Sequence, residues 1–191
     1  MNKTSTSVPT NLTGDQTAAD SLHILVNAGI LITGLIEDGS LEDWQRLMRV
    51  NAENVFLGCK AGIALMKESG GSMINMSSIT GIATKEDYAA YGASKAAVSG
   101  LSRAVAAHCR KARYRIRCNS VHPDGVLTQM IVGGYPQDID PQSFTIDSDL
   151  MNRACLPEDV AAAILFLAED ASRAINGIEL RVDSGQFVMS I

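Results

Sequence analysis

Residues 70–95 read GGSMINMSSITGIATKEDYAAYGASK. Gly70-Gly71 breaks the preceding pattern, and Ser72–Met76 is a short, largely apolar run of strand length. Ser78 closes that run. From Tyr88 to about Lys111 the chain becomes Ala-rich and helical in spacing. The same rhythm extends outward in both directions. Upstream, His23–Val26 (HILV) ends at Asn27-Ala28-Gly29, as expected for a strand buried on both faces of a parallel sheet. Between Leu41 and about Met66, the residues Leu41, Trp44, Leu47, Met48, Phe56 and Ile63 recur at mostly helical spacing. Ser40 is the expected N-cap there, with Asp43 three residues on in the place usually taken by Glu. Downstream, Arg115–Val121 reads as a third strand, cut off by Pro123. Pro157 opens a helix over roughly Glu158–Ala168, and Ile178–Val182 after Gly177 is a fourth strand. Gly133–Asp149, with Pro136 and Pro141, reads as a polar loop or helical flap, and residues 1–21 as a polar tail or remnant. Strands alternating with helices predict an α/β fold with a parallel sheet and right-handed crossovers.

Composition sets the outer limits. At 191 residues, 46% hydrophobic and 19% charged, the chain suits one domain with a substantial core. Sixteen Lys+Arg against 21 Asp+Glu leave a net charge of −5, which argues against a dedicated nucleic-acid surface. No apolar run approaches the ~20 residues of a membrane-spanning helix. Met1–Leu12 has no apolar signal core, which argues against secretion. Cys59, Cys109, Cys118 and Cys155 are widely spaced, as expected for reduced structural thiols in a cytoplasmic protein. His23, His108 and His122 are too scattered for a metal site.

The chemically informative residues are Ser78, Tyr91, Lys95 and Asn51. Tyr91 and Lys95 stand four apart on a helix, so their side chains share a face. A phenol titrates near ~10, and a neighbouring ammonium favours its ionised form. So tuned, a tyrosine can act as a general acid or base near neutral pH. Ser78 sits at the carboxyl end of a strand, where open parallel sheets place ligands. Its hydroxyl could hydrogen-bond a carbonyl or alcohol oxygen. Taken singly, a Tyr-x-x-x-Lys pair is most simply a solvated surface pair. The combination is far more specific.

Asn27-Ala28-Gly29 after a strand, Asn51 in a helix, Ile74-Asn75-Met76-Ser77-Ser78 and Tyr91-Gly92-Ala93-Ser94-Lys95 together resemble the short-chain dehydrogenase/reductase family. Asn119–Thr128 (NSVHPDGVLT) and the closing Val182-Asp183-Ser184-Gly185 extend the resemblance, as do the thirteen residues from Ser78 to Tyr91. It covers His23 to about Met189. The resemblance implies a Rossmann-like three-layer fold, with residues 22–191 as the catalytic part of a single domain. It implies an NAD(P)-dependent oxidoreductase transferring hydride between nicotinamide and a secondary alcohol or ketone, with NAD slightly favoured over NADP. In its terms Tyr91 exchanges the proton and Ser78 polarises the substrate oxygen. Lys95 lowers the tyrosine's pKa and holds the ribose, and Asn51 anchors a water in a proton relay. Asn27, Ala28, Gly29, Val50, Pro123, Gly125, Val126 and Thr128, with Tyr91 and Lys95, would line the cofactor. No metal is implied. Tyr88 and Ser77 are decoys, because only Tyr91 has Lys at +4 and only Ser78 has the family interval. The side chain of Asn27 would tie neighbouring strands.

His122-Pro123-Asp124-Gly125 and Gly58–Glu68 (GCKAGIALMKE) look most like bacterial 3β/17β-hydroxysteroid dehydrogenases, implying a hydrophobic, cyclic substrate. The loop Val126–Asp149, with Met130, Ile131, Tyr135 and Phe144, would cover it. Small residues along the Tyr91 helix permit close helix approach, and the family resemblance implies that this helix and the one beginning at Leu41 form a subunit interface, giving a homo-dimer or homo-tetramer with two-fold symmetry. The family's Gly-rich, phosphate-binding turn has no counterpart here, since Gly14 stands alone and only 22 residues precede His23. The expectation is therefore an N-terminally truncated sheet whose His23–Val26 strand forms an exposed apolar edge. The alternative function is a non-catalytic family member that acts through its oligomer interface or needs another chain for cofactor binding.

Overall fold

All four apolar runs pair in parallel, which places every strand's carboxyl end on one edge of the sheet. In the computed structural model, the described residues are 22–128, 130, 140, 143, 145, 148 and 154–189. The segment 1–21 lies outside them, as do Ile131, Tyr135, Pro136, Pro141 and Phe144 of the expected substrate loop. The strands are β1 (Leu22–Val26), β2 (Gly71–Met76), β3 (Ile116–Pro123) and β4 (Glu179–Val182), in spatial order β1-β2-β3-β4. Ile24 stands beside Met73, Met73 beside Cys118, and Val121 beside Leu180. Pro123 does not cut β3 short. It is the last paired residue, opposite Val182, where a missing N–H costs the ladder little.

Helices cover the two faces unequally. One face carries α1 (Leu41–Leu47), α2 (Asn54–Met66) and α3 (Ala89–Lys111), and its core joins Val55, Cys59, Met66, Met73, Val98 and Cys118. The other face carries α4 (Pro157–Ala168), whose Val160 and Leu167 bury Ile74 and Val121. This second layer reaches β2, β3 and β4. β1 is therefore covered on one face, by Ile24 and Val26, while Leu25 on the other remains 45% exposed. The expectation of a strand buried on both faces fails because α4 packs over β2, β3 and β4 rather than over β1. All four cysteines are buried and unpaired.

Ser40 caps α1 as its position predicts: its Oγ accepts from the Asp43 N–H at 3.0 Å and donates to Asp43 Oδ2 at 2.7 Å. Between α1 and α2, Met48–Glu53 is π-helical. The inserted turn shifts the helix register, which is why the apolar spacing over Leu41–Met66 is only mostly helical. Gly70 and Gly71 have φ of +85° and +151°, and a Cβ on Gly71 would lie 2.1 Å from the Leu22 carbonyl oxygen. Strand β2 can enter between its neighbours there only as glycine.

Polar pins join the layers. The Arg117 guanidinium, from β3, donates to the carbonyls of Leu167, Ala168 and Glu169 and to Ser172 Oγ, over 2.8–3.3 Å. Ser72 Oγ also donates to the Leu167 carbonyl. These are carbonyls at the α4 C-terminus, which lack helical partners of their own. Arg117→Met is expected to lower unfolding free energy in urea by about 2 kcal/mol, because several of these carbonyls lose a charged donor. A change below about 0.5 kcal/mol would show that water satisfies them equally well.

Candidate active site

Beyond the carboxyl ends of β1, β2 and β3 lies a cavity of about 650 Å³, roofed on one side by Val160 and Ile164 of α4. Parallel pairing delivers the strand ends to one place, and the helices following them bring side chains back over it. Ser78, two residues past β2, lines this cavity together with Tyr91 and Lys95 from the first turns of α3.

Ser78 has extended backbone and opens the single 3₁₀ turn Ile79–Gly81. Its Oγ accepts from Thr80 N at 3.2 Å and from Thr80 Oγ1 at 3.0 Å. Both lone pairs are thereby engaged, and the hydroxyl hydrogen is left as a donor. Ser77 also reaches the cavity wall, but its hydroxyl donates to the Lys95 carbonyl at 2.8 Å. That bond separates the two serines chemically. The tyrosines separate as well: Tyr88 is the residue that precedes α3, and its ring packs edge-on to Tyr91 at 6.0 Å without reaching the cavity.

Lys95 is 5% exposed. Its Nζ donates to the Met76 carbonyl at 3.1 Å and stands 5.8 Å from the centre of the Tyr91 ring. Burial lowers the ammonium from the ordinary lysine range to about 8. Burial also holds the Tyr91 phenol above its usual range, an effect that the Ser78 hydroxyl partly offsets. The lowered phenol expected from the Tyr91–Lys95 spacing is thus not found. Desolvation of the phenol is the largest influence on it, and the ammonium is directed onto a main-chain carbonyl.

Asn51 lies in the π-helical stretch and is fully buried. Its Oδ1 accepts from Ile30 N at 2.8 Å, while its Nδ2 donates to Ile30 O and to Ser94 Oγ, each at 3.0 Å. Ser94 Oγ in turn donates to the Tyr91 carbonyl at 2.7 Å. The carboxamide therefore fastens the loop after β1 to the helix bearing Tyr91. The strand-tying role expected of Asn27 falls to other asparagines. Asn27 is exposed at the cavity, with no side-chain hydrogen bond among the described residues, whereas Asn119 pairs with Ile175 O and Ile178 N.

Of the remaining sequence-derived positions, Gly29, Pro123, Val126 and Thr128 line the cavity, and Ala28, Val50 and Gly125 do not. A Cβ on Gly29 would lie 3.3 Å from Lys95 Nζ and 3.4 Å from Asn51 Oδ1, so a side chain there would crowd both. Met130, the one described apolar residue of the expected covering loop beyond Leu127, also reaches the cavity. Asp124 does too, and burial raises its carboxyl pKa. Sequence reasoning missed His122 behind Ser78, whose Nδ1 lies 3.0 Å from the Ser78 carbonyl. Its signal was only its place beside Pro123. Among the described residues, no group of three or more His, Cys, Asp or Glu gathers as a metal site, and no helix is long and apolar enough to cross a membrane.

Comparison with known proteins identifies the family. A family model described as enoyl-(acyl carrier protein) reductase matches residues 11–186, beginning inside the segment read as a tail. A 3-beta-hydroxysteroid dehydrogenase of Comamonas testosteroni is 48% identical over 174 residues, covering 90% of this chain and 68% of the relative. A 3-alpha-(or 20-beta)-hydroxysteroid dehydrogenase of Mycobacterium tuberculosis is 42% identical over 171 residues, 88% of this chain and 62% of the relative. The chain thus spans roughly two thirds of the length of these relatives. Among solved structures, ElxO with NADP bound superposes with a TM-score of 0.75 at 28% identity, over 87% of this chain and 67% of that one. With a parallel sheet, a serine, a tyrosine and a lysine at one cavity, and a family match over most of its length, this chain belongs to the short-chain dehydrogenase/reductase family of oxidoreductases.

Proposed function

We propose that the cavity catalyses nicotinamide-dependent interconversion of a secondary alcohol and its ketone, with a hydrophobic, cyclic substrate of the hydroxysteroid kind. The observation that carries this is the meeting of three groups at one cavity: a donor-ready hydroxyl on Ser78, a half-buried phenol on Tyr91 and a buried ammonium on Lys95. The apolar wall of Val160, Ile164 and Met130 supports the substrate class.

NAD or NADP supplies or accepts the hydride when bound, with NAD slightly favoured by resemblance. The residues present fit its ribose end. Lys95 carries three N–H donors and meets one acceptor, the Met76 carbonyl, so two donors remain for hydroxyls. Gly29 leaves that side of the ammonium uncrowded. Of the sequence-derived positions, Asn27, Gly29, Pro123, Val126 and Thr128, which line the cavity, are the proposed cofactor wall, and Asn51 holds the neighbouring Ile30 backbone in shape. In reduction, the Ser78 hydroxyl orients the carbonyl oxygen and the Tyr91 hydroxyl gives it a proton. In oxidation, the phenolate takes that proton back. A phenol is protonated at neutral pH and burial reinforces that state, so the ligand-free site is set to donate, and the Lys95 charge stabilises the phenolate left behind.

The exposed apolar side chains of α1 and α2, Leu41 at 70% and Leu65 at 68% among them, support a homo-dimer or homo-tetramer. Buried, unpaired thiols support a cytoplasmic setting.

Three outcomes test this. With a 3β-hydroxysteroid or cyclohexanol and either NAD⁺ or NADP⁺, Tyr91→Phe is expected to lower turnover about 10²- to 10⁴-fold. Parental turnover by Tyr91→Phe would refute the assignment. Absence of calorimetric NAD(H) or NADP(H) binding by a stable oligomer would favour the non-catalytic alternative. The second outcome concerns Lys95. Its folded pKa of about 8 lies below the unfolded value near ~10.4, so the unfolded chain binds more protons between those pH values and stability rises across that window. Below pH 8 the full penalty persists, so Lys95→Met should stabilise the fold at pH 7 by about 2 kcal/mol while abolishing turnover. A destabilised Lys95→Met protein would show that the bond to Met76 outweighs desolvation. Third, light scattering should give two or four times the 20.3 kDa chain mass, and a monomer would refute the interface.

A further inference from the structure

We propose that His122 is a positioning residue: a hydrogen bond from its Nδ1 to the Ser78 carbonyl fixes the Ser78 hydroxyl against the substrate oxygen. This rests on the assignment of Ser78 as the group that holds that oxygen.

His122 is fully buried, one residue before the end of β3. Its Nδ1 lies 3.0 Å from the Ser78 carbonyl oxygen, which can only accept, so Nδ1 must carry the proton. Its Nε2 lies 2.8 Å from Ser120 Oγ and 3.4 Å from Ser99 Oγ. Burial lowers the imidazole to about 4, so the ring is neutral at physiological pH and has one proton to place. The tautomer is thereby determined. Ser120 donates to Nε2, and Nδ1 donates to Ser78, in one chain from the β3 backbone to the site.

The same Ser78 carbonyl accepts from Gly81 N at 3.0 Å. Two donors therefore hold the Ser78–Ile79 peptide plane, while Thr80 holds Oγ from the other side. Of these, only the His122 bond comes from outside the short turn that Ser78 opens. It fixes the turn against β3, the neighbouring strand whose end also walls the cavity. Without it, the turn and its hydroxyl could tilt as a unit. A displacement of a fraction of an ångström at a group that orients the reacting oxygen lowers turnover without removing any chemistry.

Two measurements decide the matter. The first does not depend on turnover: ¹⁵N correlation spectra of the full chain, with its three histidines, should show one ring that stays neutral from pH 8 to pH 5. That ring should disappear in His122→Asn and be protonated at Nδ1. A ring protonated at Nε2 would overturn the proposal, because Nδ1 could not then donate to a carbonyl. The second is steady-state oxidation of cyclohexanol. His122→Leu is expected to lower kcat roughly ten- to hundredfold, with a much smaller change in KM. His122→Asn, which keeps an amide donor near the Nδ1 position, should recover most of that loss, and His122→Gln, whose donor is one carbon further out, should not. Should His122→Leu fail to fold, the Asn and Gln variants still make the comparison. Combined with Ser78→Ala, the His122→Gln loss should largely vanish, since the group it positions is gone. Additive losses would show that His122 acts on stability alone and overturn the proposal. If Ser78→Ala itself leaves turnover unchanged, the assignment of Ser78 fails, while the spectra still decide the hydrogen bond.

Discussion

Helix α3 is fastened to the end of β2 by two hydrogen bonds running in opposite senses: Ser77 Oγ to the Lys95 carbonyl, and Lys95 Nζ to the Met76 carbonyl. Everything at the cavity depends on that joint. It brings Tyr91, one turn earlier on α3, over the strand end where Ser78 follows, and it leaves the ammonium beside both. The sheet contributes the other half of the constraint. Parallel pairing of β1, β2 and β3 aligns their carboxyl ends, so short loops from each meet in one place.

The site is expensive for the fold. A buried ammonium with one carbonyl partner, a desolvated phenol, a raised carboxyl at Asp124 and a neutral buried imidazole all sit at that edge. The two cores, around Met73 and Cys118 on one face and around Ile74 and Val121 on the other, gather the buried apolar side chains. The desolvated ammonium, phenol, carboxyl and imidazole thus cluster where chemistry is proposed. Buried asparagines link the two. Asn51, Asn75 and Asn119 each use their carboxamides to hold backbone or side chains that the regular ladder does not reach.

Much of the fold was legible because strand and helix periods are local. The Ser72–Met76 run, the Ala-rich segment after Tyr88, the Ser40 cap and the Pro157 start all emerge in place, within a residue or two. The π-helical turn at Met48–Glu53 was hidden because an inserted residue merely blurs a helical period. The half-covered state of β1 was hidden because HILV reads the same whether or not a helix lies above Leu25. At the site, interval and residue type singled out Ser78 over Ser77 and Tyr91 over Tyr88, while what separates each pair physically is tertiary: the Ser77 hydroxyl is bonded to α3, and Tyr88 does not line the cavity.

By itself, the sequence determined the alternation of elements, the parallel sheet and the residue types able to exchange a proton with a substrate oxygen. These follow from local spacing and from side-chain chemistry, which need no partner to be read. Only the tertiary structure decided the electrostatics and the division of labour. Whether a phenol is raised or lowered depends on how much water the fold excludes around it, and here burial is the largest influence on Tyr91 and raises it. Likewise, His122 and Asn51 acquire their roles from what lies across the fold, the Ser78 carbonyl and the Ile30 backbone. A hydrogen-bond partner 44 residues distant for one, and 21 for the other, leaves no trace in local pattern.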